Sequence, residues 1–68
     1  MKIVGQRIKE LREFKGVTQK DLSGVLGVRQ HTISQFENGV RRPNYETLIA
    51  LAKYFDVTVG QLLGTEDF

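Results

Sequence analysis

The chain has 68 residues, enough for one small domain that buries about 60% of its unfolded surface. It holds no cysteine and one histidine, which excludes disulfides, thiol catalysis and a Cys- or His-built metal cage. With 40% hydrophobic and 26% charged residues and a net charge of +2, it reads as a soluble globular protein, neither disordered nor membrane-spanning. The N-terminus lacks the apolar run of a secretory signal, so the expected location is cytoplasmic.

The apolar period is helical almost throughout, broken at Gly16, Gly27, Gly39, Pro43, Asp56 and Gly64. A first helix is expected from about Ile3 to Lys15, with Val4, Ile8 and Leu11 on one stripe. Gly16 suits its C-terminal stop. A second begins after Thr18, an N-cap with Asp21 in capping-box position, and ends at Gly27. Leu22, Val25 and Leu26 form its apolar stripe, and Gly24 lies inside it with no local reason. A third spans about Gln30 to Asn38. Val40-Arg41-Arg42-Pro43 is a loop, because a residue before proline avoids helix. Asn44 caps a fourth helix, whose Tyr45, Leu48, Ile49, Leu51, Ala52 and Phe55 give it the broadest apolar face and predict the deepest burial. Thr58 caps a short fifth helix with Val59, Leu62 and Leu63, ending at Gly64. Thr65 to Phe68 is expected to fray. The fold class is therefore all-α: five short helices around one core, a single domain structured from about residue 3 to 63 with a tail at 64–68.

The second and third segments are joined by a very short glycine turn, which makes them a helix-turn-helix. Gln19, Ser23, Gly27 and Ile33 mark its spacing. Ser23 is small where the helices cross, and Gly27 supplies the left-handed turn. At about 100° per residue from Ile33, the inward face of the third helix takes Phe36 near 300° and Arg29 near 320°. His31, Ser34, Gln35 and Asn38 point the other way, at about 160°, 100°, 200° and 140°. That face is polar and uncharged, and its side chains suit hydrogen bonding to base edges. Glutamine, for example, pairs twice with adenine. The plain alternative for Ser34 and Asn38 is a solvated helix face, with Asn38 a simple helix end before glycine.

Glu37 falls near 40°, close to the buried side, so it needs a partner. Arg12 on the first helix is the candidate, giving a structural ion pair between helices one and three. Gln19, at the start of the second helix, sits beside free backbone N–H groups that suit a phosphate. Arg41 and Arg42 follow the third helix and can reach phosphates or the minor groove. Their plain alternative is a loop kept soluble by charge. Residues 1 to 42 carry nine of the ten basic residues and four acids, a net of +5, whereas residues 43 to 68 net −3. A molecule with one basic end suits a polyanionic partner.

These residues together resemble the phage repressor and Cro-like (XRE-type) helix-turn-helix family. The likeness runs from Ile3 to Leu63. It rests on Ile8-Lys9-Glu10-Leu11-Arg12, Gly16-Val17-Thr18-Gln19, Asp21-Leu22-Ser23, Leu26-Gly27-Val28, Thr32-Ile33-Ser34, Glu37-Asn38-Gly39, Arg41-Arg42-Pro43, Thr47-Leu48 and Leu51-Ala52. The resemblance implies a lambda-repressor-like five-helix domain that binds operator DNA, commonly as a two-fold symmetric homodimer. It maps DNA contacts onto Gln19, Gln30, His31, Thr32, Ser34, Gln35 and Asn38, with Arg41 and Arg42 on the backbone. The family's usual residues are replaced at Ser23, Gly24 and Arg29. Arg29 leaves the third helix without a Ser or Thr cap and adds a possible phosphate contact. Phe14, often polar in the family, is expected either to extend the core or to face a partner.

The reading is a sequence-specific regulator of transcription, expected to repress, that binds double-stranded DNA. Dimer contacts are expected from exposed parts of Val59, Leu62, Leu63 and Phe68. The alternative is a protein-interaction module that kept the fold, antitoxin-like or binding an anti-repressor. No nucleophile–base set, metal cluster or glycine-rich phosphate loop is present, so an enzyme, a metal and a cofactor are not expected, nor is a small-molecule site. The aromatic platforms that stack single-stranded RNA are also missing.

Overall fold

The computed structural model describes residues 2–68. It contains α1 (Lys2–Lys15), α2 (Gln19–Leu26), α3 (Gln30–Glu37), α4 (Tyr45–Phe55) and α5 (Val59–Leu63), with no strand among the described residues. The all-helical expectation holds, with helix limits within a residue or so of those read from the period.

Local chemistry sets the start of α2, α4 and α5. Thr18 accepts from the Asp21 N–H while the Asp21 carboxylate accepts from the Thr18 N–H, a closed capping box. The Thr18 backbone N–H holds the Asp21 carboxyl below the usual carboxylate range. This interaction is present at neutral pH and is lost as pH falls through the lowered pKa. Gly27 ends α2 at φ 68°, where a side chain would be strained. Asn44 accepts from Thr47 N–H at the start of α4, and Thr58 with Gln61 closes a second capping box on α5.

All five helices supply the core: Val4 and Ile8 from α1, Leu22 from α2, Ile33 and Phe36 from α3, Leu48, Leu51 and Ala52 from α4, and Leu62 from α5. Each helix is too short to be stable alone, so this shared burial holds them. Two apolar assignments are corrected. Val25 is 51% exposed and Tyr45 72% exposed, because both flank the stripe that meets the core rather than lying in it. Phe14 is 93% exposed and does not extend the core.

Two glycines in helices behave oppositely. A Cβ on Gly5, which is buried, would lie 2.8 Å from the carbonyl oxygen of Glu37 and would also press on that of Phe36. Here α1 and α3 touch backbone to backbone. A Cβ on Gly24 would meet nothing within 4 Å. Gly24→Ala is therefore expected to raise stability by about 0.5–1 kcal/mol through helix propensity alone. Urea denaturation would read this as a higher midpoint with unchanged slope.

The C-terminal segment, expected to fray, carries specific contacts to the rest of the domain. Thr65 and Glu66 N–H groups both donate to Gly60 O, and Gln61 Nε2 donates to Asp67 O. Arg7 donates through Nη1 to Gln61 O and lies 4.6 Å from the Phe68 ring centroid. This cation–π contact docks the end of the chain on α1. Leu62 is fully buried, so it offers no surface to a second copy. Val59 and Leu63 are half-buried, and Phe68 is 64% exposed.

Candidate nucleic-acid interface

The core fixes α3 through Ile33 and Phe36, which leaves its other side outward. Gln30, His31 and Asn38 are exposed, and Thr32, Ser34 and Gln35 are half-buried. Five of the six thus lie on one short helix, and Asn38 is its C-cap. Asn38 Nδ2 donates to Ser34 Oγ at 3.3 Å, so these two are already linked one turn apart. Arg29 precedes α3 in extended backbone (φ −76°, ψ 151°) and contributes no side-chain cap. Its own side chain is exposed beside the positive end of the helix dipole.

The chain after α3 is pinned to it. Val40 and Arg41 N–H groups both donate to Gln35 O, at 3.0 and 3.2 Å, and Gly39 N–H donates to Phe36 O. Pro43 is buried at the far end of this loop. Arg41 and Arg42 are therefore exposed cations held immediately after the polar helix rather than on a loose tether.

Beneath this surface lies the ion pair. Arg12 Nε donates to Glu37 Oε2 at 2.7 Å and Arg12 Nη2 to Glu37 Oε1 at 3.1 Å, a two-pronged pairing. Arg12 Nη1 also donates to Val17 O at 3.0 Å. The side chains are 13% and 3% exposed. The bond to Glu37 raises the Arg12 pKa, so the guanidinium stays charged at any working pH. One contact was not anticipated from sequence: Gln19 Nε2 donates to Glu37 Oε1 at 3.1 Å. Helix geometry gives no angle between α1, α2 and the end of α3, so periodicity alone could not show this three-way junction.

The arrangement suits recognition rather than reaction. It offers uncharged donors and acceptors on a rigid helix, with cations at its edges. No group of three or more metal-ligating side chains occurs among the described residues. No described helix is long and apolar enough to cross a membrane.

The model of the family described as "Helix-turn-helix domain" matches residues 5–67. The chain is 40% identical over 60 residues to the HTH-type transcriptional regulator AnsR of Bacillus subtilis, covering 88% of this chain and 52% of AnsR. It is 37% identical over 62 residues to the HTH-type transcriptional activator BcrR of Enterococcus faecalis, covering 91% of this chain and 30% of BcrR. The chain thus spans about half or less of these curated relatives. Among solved structures it is similar to the P22 c2 repressor protein in complex with a synthetic operator. The TM-score is 0.87 at 32% identity, covering 97% of this chain and 100% of that one. With the family model matched over nearly its whole length and its five helices superposing on a phage repressor, this chain belongs to the XRE-type helix-turn-helix family.

Proposed function

We propose that this domain binds double-stranded DNA sequence-specifically and regulates transcription, with α3 in the major groove. The observation that carries the reading is the outward face of α3. Its Gln30, His31, Ser34, Gln35 and Asn38 are uncharged hydrogen-bonding side chains where a merely solvated helix carries lysine and glutamate. Arg29, Arg41 and Arg42 flank that face and take the phosphates. The likeness to a repressor in complex with a synthetic operator supports DNA binding.

Gln30, Ser34 and Gln35 read bases, while His31 and Thr32 meet bases or phosphate. Gln35→Ala is expected to cost about 1–3 kcal/mol on the cognate site and to relax preference at one base position. Arg41→Ala instead weakens all sequences alike and flattens the salt dependence of binding. Titrations of both variants against cognate and scrambled duplexes at several salt concentrations separate the two roles. An unchanged base preference in Gln35→Ala removes that residue from the readout.

Two copies on an inverted repeat complete the arrangement, paired through Val59, Leu63 and Phe68. Repression is the regulatory outcome proposed, by occlusion of a promoter. Gel filtration across a wide concentration range, with and without the duplex, measures the pairing. A strict monomer at high concentration confines pairing to DNA.

A further inference from the structure

The carboxylate of Glu37 does a second task beyond closing the ion pair. It accepts three hydrogen bonds, two from Arg12 and one from Gln19 Nε2 at 3.1 Å, while its side chain is only 3% exposed. A carboxylate only accepts. The bond therefore fixes the Gln19 amide with its nitrogen toward Glu37 and its Oε1 turned away. Nε2 keeps one further hydrogen for an outside acceptor. Arg12 neutralises Glu37, so an anion approaching Gln19 does not meet an unpaired carboxylate.

We propose that Glu37 is a positioning residue for DNA binding: it holds Gln19, the first residue of α2, in the conformation in which its remaining N–H meets a phosphate. Arg12, Glu37 and Gln19 then act as one unit. The inference rests on the reading that this domain binds DNA and that Gln19 touches it. A glutamine held in place before binding loses no rotamer freedom at the encounter, an advantage of about three- to tenfold in affinity.

The test compares affinity for a cognate duplex in the wild type, Gln19→Ala, the paired variant Arg12→Met with Glu37→Met, and all three changes together. Each is measured at a temperature where circular dichroism shows it folded. Methionines fill the volume of the ion pair while removing the acceptor. The expected result is an about three- to tenfold loss in both Gln19→Ala and the paired variant, with no further loss when they are combined. A paired-variant loss that persists in full on the Gln19→Ala background, or no loss at all, overturns the proposal while leaving DNA binding intact. Loss of sequence-specific binding by the wild type itself would instead strike the functional reading.

Should the paired variant not fold, side-chain amide relaxation of the unbound wild type decides the matter without it. Gln19 is expected to be ordered where the exposed Gln6 and Gln30 are mobile. A Gln19 amide as mobile as theirs overturns the proposal.

Discussion

Arg12→Ala is expected to lower the unfolding free energy by about 3–5 kcal/mol, far above the 0–1 kcal/mol of a surface pair. The reason is what stays behind. Glu37 is 3% exposed, so its carboxyl group would be left in a dry site with one remaining donor, Gln19 Nε2. Val17 O would also lose the donor that ties the α1–α2 turn to α1. A domain of this kind has about 5–15 kcal/mol in all, so the variant should sit near its unfolding threshold. The loss should shrink when Glu37→Met is added to Arg12→Met, because two apolar side chains leave no orphaned charge. Chemical denaturation of the single and paired variants measures both statements. Arg12→Ala with wild-type stability would contradict them.

Gly5→Ala is the second large effect. Alanine is ordinarily the better helix residue by about 0.5–1 kcal/mol. At this position the new Cβ would meet the Phe36 and Glu37 carbonyl oxygens, which belong to backbone and cannot rotate away. Helix α1 must then move off α3, and overpacking of that kind costs about 1–3 kcal/mol or more. The shift would also stretch the Arg12–Glu37 pairing at the same contact, so the two sites should couple rather than add. Gly5→Ala and Gly24→Ala should thus have opposite signs, although both place alanine inside a helix. Thermal melts of the two variants side by side provide the check. A Gly5→Ala protein that melts higher than wild type would mean the helices are not in contact there.

Much of this was legible because helices announce themselves locally. Thr18 with Asp21 marks where α2 starts, Gly27 where it stops, and the angular position of Glu37 near the core demanded a cation. The helix-turn-helix follows from one short turn. What was not legible is tertiary. Gly5 carries no period and no turn signal, since its reason lies in a backbone on another helix. Val25 and Tyr45 share the apolar stripe by period, yet only the neighbouring helices decide which flank of a stripe is covered. The tail looked featureless because Arg7 and Phe68, or Gln61 and Asp67, meet only in the fold. On the proposed interface, the spacing placed Ser34, Gln35 and Asn38 on one face, but the link from Gln19 to Glu37 needed the relative placement of α2 and α3.

The outward face of α3 is the centre of the account, and it makes one demand: the domain must prefer some DNA sequences over others. The most direct test incubates the protein with a random duplex library at near-physiological salt and sequences what it retains. Base reading by paired copies should enrich an inverted repeat whose half-site centres lie about one helical turn, 34–36 Å, apart. A retained pool no different from the input would show that binding is electrostatic only, and would contradict base reading by α3.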